Sequence, residues 1–395
     1  DGAQHAKTAR FVIGTSTAGW TLENCDYLCD GTNDQEEIIQ ALNDLPETGG
    51  EVVILDGIYN IKASINILKD NVSIRGNGNA TILKRKYDST NTDSGHTAKG
   101  LITLNGKSGC KIQGLQIDGN KSEHTSEYNC GIYLSSSSNN TVTSNTCNDN
   151  NSNGIYLSSS SNNTVTGNTC NNNDSGIYLS SSSYNTVTGN TCNNNNYDGI
   201  RLQSSSNNTI TGNTCYNNSS GIDIHSSSNN NTITSNTCNN DDFGIHLDSS
   251  SNNTITGNTC YNNSYNGIHL YSSSNNTVTG NTYNDNNNGI CLSSSSNNNT
   301  ITSNTCNNND SNGIFLYSSS NDNTITSNTC NNNNNGDGIY LYSSSNNTIT
   351  SNTCNNNYDG IRLQSSSNNT ITGNTCIRGT GQPSDYASSQ YTIRL

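Results

Sequence analysis

The sequence predicts an all-β solenoid of parallel strands. Three observations lead there: a repeat whose register cysteines recur every 22 to 24 residues, strand-like patterning inside each repeat, and too few apolar residues per repeat for any one to fold alone. The segment GIYLSSSSNNTVTSNTC at Gly131 returns, with small changes, at Gly154, Gly176, Gly199, Gly221, Gly244, Gly267, Gly289, Gly313, Gly338 and Gly360. Eleven copies follow one another. In each, GI-x-L sets Ile and Leu on one face and NT-[VI]-T offers a further β-branched residue, while the SSSSNN and NNN stretches supply corners. Gly, Asn and β-branched content and the lack of a 3.6-residue period exclude helical repeats. Stacked at ~4.8 Å per coil, eleven coils make a core of roughly 50 Å.

Composition fits this reading. Of 395 residues, 28% are hydrophobic and 12% charged, with 16 basic against 30 acidic side chains and a net charge of -14. Disorder of low-hydrophobicity chains normally comes with high charge density, whereas here Asn, Ser, Thr and Gly replace the apolar residues. In register, equivalent Asn residues form columns whose amides bond from coil to coil. The acidic balance argues against nucleic acid as a partner, and no apolar run reaches the ~20 residues of a membrane span. Met is absent even at position 1, from which a processed, secreted chain is expected.

The repeat resembles the right-handed, single-stranded parallel β-helix of pectin-lyase-like proteins, especially NosD-like and carbohydrate-associated repeats. The similarity runs over about residues 50–376. The segment CDYLCDGTNDQEEIIQALNDLPETGGEVVILDGIYNI, from Cys25 to Ile61, is similar to the opening of archaeal cell-surface proteins of this fold. Here Thr32 to Gln35 reads as a capping box, EEIIQAL as a short capping helix, Gly49 and Gly50 as its stop, and EVVIL as the first strand. The expected organisation is a cap over residues 1–50, irregular coils over 51–130 with a loop near 85–99, regular coils over 131–376, and a cap or arm over 377–395. In the arm reading, YTIRL adds to an edge of another subunit.

Fifteen cysteines are an odd number, so at least one thiol is unpaired within the chain. Cys147, Cys170, Cys192, Cys215, Cys238, Cys260, Cys306, Cys330, Cys354 and Cys376 mark the register, with Tyr283 in the expected place of one. The resemblance implies that this series points inward. Strict alternation from Val165 turns Cys170 outward instead, and an outward column could crosslink subunits. Metal binding is not expected of them, since one cysteine per coil lacks the usual C-x-x-C pairs. Cys25 and Cys29 are open to either a local bridge or free thiols.

On a β-helix, chemistry is sought in outward columns. The third residue of GI-x-L runs Tyr133, Tyr156, Tyr178, Arg201, Asp223, His246, His269, Cys291, Phe315, Tyr340, Arg362, and two residues on lie His225, Asp248, Tyr271, Tyr317 and Tyr342. Asp223, His225, His246, Asp248 and His269 on three consecutive coils form the one chemical cluster. It could hold Zn or Cu or do acid–base work on a sugar, and equally it reads as a solvated polar face. NosD-like relatives are linked with maturation of a copper enzyme, which the resemblance brings to this cluster. The resembling lyases need clustered Asp and a basic Arg or Lys. Arg201 and Arg362, however, lie in two identical stretches, YDGIRLQSSSNNTITGNTC, seven coils apart. The tyrosine column suits sugar stacking, rod packing or cover for the strand face.

Sequons stand at Asn139, Asn162, Asn207, Asn252, Asn275, Asn346 and Asn368, beside corners, where glycans could be carried. The function expected is structural and non-enzymatic: an extracellular cell-surface protein that polymerises with copies of itself into a sheath, surface layer or filament. Surface glycans are a further partner, and neither metal nor cofactor is required. The alternatives are a carbohydrate-active lyase or hydrolase, or a sugar-binding β-helix, and third a NosD-like metal-associated protein.

Overall fold

The structure is a computed structural model describing residues 9–333, 335–377 and 393–394. The chain divides into two compact units, Asp1–Asn196 and Tyr197–Leu395. Each is a stretch of right-handed parallel β-helix. No described helix is long and apolar enough to cross a membrane.

The first unit opens with β1 (Arg10–Thr15), β2 (Tyr27–Cys29), α1 (Gln35–Asp44) and β3 (Gly50–Ile54). β1 pairs in parallel with both β2 and β3. Coiling therefore begins ahead of the helix, and EVVIL is not the first strand: RFVIGT precedes it. The expected capping box is also absent. The N-cap of α1 is Asp34, without a side-chain capping bond, and Gln35 Oε1 accepts from Lys62 N at 2.8 Å instead. The helix ends at Asp44, with Leu45 extended ahead of Pro46, so proline geometry and not Gly49–Gly50 stops it. α1 buries Ile38, Ala41 and Leu42 against β1, β2 and the strand Ile65–Ile67. Residues 86–99 carry no strand and form the expected loop.

From Cys130 the coils become regular, and each holds a long strand and up to two short ones. In the coil from Asp198 these are Asp198–Gln203, Thr209–Thr211 and Thr214–Tyr216, and Ile200, Leu202, Ile210 and Cys215 are all 0% exposed. Successive long strands of the second unit pair in register, for example Ile222↔Ile245, Ile245↔Ile268 and Ile268↔Ile290. The sequence pattern showed the first two strands of each coil and missed the third.

Asparagine fills the corners. In the first unit Asn168 Nδ2 donates to Val142 O at 2.9 Å and to Asn190 Oδ1 at 3.0 Å, while its Oδ1 accepts from Asn145 N at 3.0 Å. One side chain thus satisfies backbone and amide groups of neighbouring coils that burial would otherwise leave orphaned. Residues such as Asn139, Ser144 and Asp149 adopt left-handed backbone (φ 58, 55 and 57°), which short polar side chains tolerate better than others. The glycine of GI-x-L answers a different need. A Cβ on Gly313 would lie 2.6 Å from the carbonyl oxygen of Gly338 on the next coil, so only glycine permits the stacking.

Candidate functional site

The outward side of the long strands in the second unit carries the chemically mixed patch. Strand pairing sets Arg201 beside Asp223, Asp223 beside His246, and His246 beside His269. Asp223, 9% exposed, accepts from His246 Nδ1 at 3.0 Å and lies 3.7 Å from His225 Nε2. Arg201 Nε donates to His225 Nε2 at 2.8 Å, which requires the lone pair of a neutral ring. Burial holds the His225 pKa down against the pull of Asp223, with Arg201 acting in the same direction as burial. Asp198, one turn of pattern earlier, is raised to about 7 by burial and then by Asp223, with Arg201 3.9 Å away opposing.

Not all five predicted residues converge. Asp223, His225 and His246 do. Asp248, in register with His225 on the next coil, is held by Ser249 Oγ, from which it accepts at 2.7 Å. His269 stacks on His246 at 5.3 Å and shares a hydrogen bond with Ser293 Oγ at 2.9 Å, and burial and His246 push it down to about 4. Sequence reasoning missed Asp198 and Phe243 as members of the patch. Both occupy the place just before Gly in GI-x-L, which forms a column of its own: Asp198 pairs with Ser220 and Ser220 with Phe243. Phe243 stacks on His246 and His269 at 5.1 and 5.6 Å.

As a copper or zinc site this face fits poorly. The guanidinium of Arg201 occupies the ligating nitrogen of His225, and a cation there repels a metal ion. Among the described residues, the group of three donors lying within 4.8 Å of one another is Cys29, Asp34 and Glu37, far from this patch in sequence. The Asp34 carboxylate there is already used by Gly31 N at 2.8 Å and Asn60 N at 2.6 Å, tying the helix start to the strand Gly57–Ile61.

The aromatic column stacks on itself. Tyr156 and Tyr178 lie 4.9 Å apart at 5°, and Phe315 and Tyr340 lie 5.0 Å apart at 14°. Their faces, which sugar stacking needs, are covered by the next ring, leaving mostly edges outward. Tyr133 is fully buried, its hydroxyl donating to Asp93 at 2.8 Å. A shallow recess of about 270 Å³ lies between Phe243, His269, Cys291 and Phe315.

The cysteine series lies inside. Nine of its ten members, Cys147 to Cys354, are buried and Cys376 is half-buried. All are thiols, as are Cys25 and Cys29. The corner resets the alternation: Gly167 at φ 63° and buried Asn168 intervene between Val165 and Cys170. An outward crosslinking column is thereby overturned. The sequon residues Asn139, Asn162, Asn207, Asn252, Asn275, Asn346 and Asn368 are exposed at corners, all with left-handed backbone. Of the expected arm, Ile393 and Arg394 pair in parallel with Ile361 and Arg362 of the same chain, so that pair of residues caps its own last coil. The remainder of residues 378–395 lies outside the described residues.

Inward aliphatic columns, one glycine per coil and polar corner ladders define a right-handed parallel β-helix. The chain belongs to the NosD family, described as periplasmic copper-binding protein, which matches residues 48–243 and 226–336. A family described as right handed beta helix region matches residues 320–394. No curated relative matches the chain. Among solved structures it is similar to bacteriophage phi29 pre-mature gene product 12, at 15% identity and TM-score 0.75 over 88% of this chain and 54% of that one. It is similar to endo-xylogalacturonan hydrolase from Aspergillus tubingensis (16%, TM-score 0.52, 89% and 97%). The A-module of a mannuronan C-5 epimerase from Azotobacter vinelandii gives 18%, TM-score 0.50, 93% and 96%. At such identities these likenesses speak to the fold.

Proposed function

We propose that the chain is a non-enzymatic structural protein of the cell surface, associating with copies of itself into an extracellular sheath, layer or filament. The observation that carries this reading is the self-satisfaction of the mixed face: Asp223, His225, His246 and Arg201 are spent on each other, and the recess beside them is shallow. Catalysis requires groups free to meet a substrate, and a cleft to exclude water from it. The coils otherwise repeat with little change, which suits a load-bearing element. The family's periplasmic description supports a place outside the cytoplasm, and the exposed corner sequons suit a glycosylated surface. Electron microscopy of native, unreduced material tests the reading: ordered sheets, tubes or fibres are expected, and a dispersed monomer with glycan-cleaving activity overturns it.

A second reading has one observation in its favour. Asp198, raised to about 7 beside Arg201, has the protonation behaviour of a general acid near neutrality. In that reading the chain acts on an acidic polysaccharide, and Asp198→Asn abolishes the activity. Depolymerisation assays on uronate polymers, read as chain-length change, separate the two.

A further inference from the structure

The regular coils differ little from one another, and what is individual in the first unit lies where the repeat is interrupted. The loop over residues 86–99 lies on the outward side of the strands Ile65–Ile67 and Gly100–Asn105 and is tied down there. Ser64 N donates to His96 O at 2.9 Å and Asn66 Nδ2 to Gly95 O at 2.9 Å. Asp93 accepts from the Tyr133 hydroxyl at 2.8 Å and from Ser135 Oγ at 3.1 Å, with Lys99 Nζ 3.5 Å away. The loop is thus a fixed strap.

Between the strap, α1 and the first coils lies a recess of about 370 Å³, larger than the one beside His269. Ile39 of α1, Leu68, Gly95, His96, Thr103 and Lys107 are among the residues that line it. Leu68 is 61% exposed and Ile39 half-buried, so two aliphatic side chains that the core leaves uncovered meet here. The hydroxyls of Ser64 and Thr103 are spent on Gly100 O, at 2.7 and 3.3 Å, and on each other at 3.1 Å, so they make no claim on a ligand. Lys107 is the exception. Its ammonium has no carboxylate within 4 Å among the described residues, while Asp93 is held by Lys99 and Asp70 Oδ1 accepts from Ser108 N at 2.9 Å.

An enclosed space of this size, apolar on its walls with a few polar groups to orient the guest, is the usual form of a small-molecule site. A dry cavity of ~150 Å³ already holds benzene, so there is room here for a ring and a short chain. One unpaired cation beside aliphatic walls selects a guest with an apolar body and a single anionic end. We propose that this recess binds a small aryl or alkyl carboxylate, its body against Ile39 and Leu68 and its carboxylate on Lys107. This inference stands apart from the scaffold reading and from any chemistry of the Asp223 face.

The test uses the full chain with 3-phenylpropionate and its neutral counterpart 3-phenylpropanol, at low ionic strength, followed by ligand-observed saturation-transfer NMR and calorimetry. The carboxylate should bind about tenfold more tightly than the alcohol, the worth of one hydrogen bond to a charged group. Lys107→Gln should erase that preference and leave the alcohol's affinity as it was, whereas Lys107→Arg keeps the charge and should keep the preference. Ile39→Glu, on the solvent side of the helix, should weaken the carboxylate more than the alcohol. Far-ultraviolet dichroism shows that each variant is folded. Absence of binding by the folded parent overturns the proposal. So does a preference that survives Lys107→Gln, or an equal loss of both probes in that variant. Should Lys107→Gln fail to fold, Ile39→Glu decides, and equal weakening of the two probes refutes the placement of the anionic end.

Discussion

Asp241 stands within a corner ladder otherwise made of asparagine, at Asn218, Asn263, Asn286, Asn309, Asn333 and Asn357. Its Oδ1 does what an asparagine oxygen does, accepting from Asn218 N at 2.7 Å and Asn218 Nδ2 at 3.1 Å. Its Oδ2 is buried with no hydrogen-bond partner, at the point where Asn286 Nδ2 donates to Cys260 O at 3.1 Å and to Asn309 at 3.3 Å. Burial raises this carboxyl from 3.8 to about 8, with Cys215 adding to it. The unfolded chain releases the proton near pH 4 and the folded chain holds it until about pH 8. The folded state therefore binds more protons in that window, and stability falls as pH rises through it. The loss approaches about 5 kcal/mol, at about 1.4 kcal/mol per pH unit, and levels off above pH 8. Asp241→Asn restores the donor and removes the slope, so its advantage should be small at pH 4.5 and several kcal/mol at pH 8.5. A solenoid frays locally, so the apt measurement is hydrogen exchange of the strand Thr237–Asn239 together with melting at both pH values. An advantage that does not change with pH refutes the protonated-acid account.

Three further outcomes follow from the same geometry. Tyr283 sits in the cysteine column fully buried with its hydroxyl unpartnered, so Tyr283→Phe should stabilise by about 1–3 kcal/mol in denaturant melts. Gly313→Ala sets a Cβ 2.6 Å from a backbone oxygen that cannot give way, and should cost at least about 1–3 kcal/mol and speed exchange in the flanking strands. Asp223→Asn removes the charge that helps hold up Asp198, and a carbon-detected titration should then show the Asp198 pKa clearly below about 7.

What the sequence determined alone was everything that repetition enforces. A unit that cannot bury its own core must stack, stacking in register turns each position into a column, and the columns of Ile, Leu and Asn follow from period and composition. The tertiary structure decided what depends on corners and on breaks in the repeat. Cys170 faces inward because a left-handed residue and a buried asparagine shift the alternation by an amount that no two-residue count contains. RFVIGT enters the first coil because of partners found some forty residues away, and Gln35 leaves its capping role for Lys62 N. Arg201 joins Asp223 and His225 only once coils 22 to 24 residues long are laid side by side, which sets ionisable groups within 4 Å whose separation along the chain says nothing of their charge state. Local pattern reports the strand, and the neighbour one layer away decides what its side chains can do.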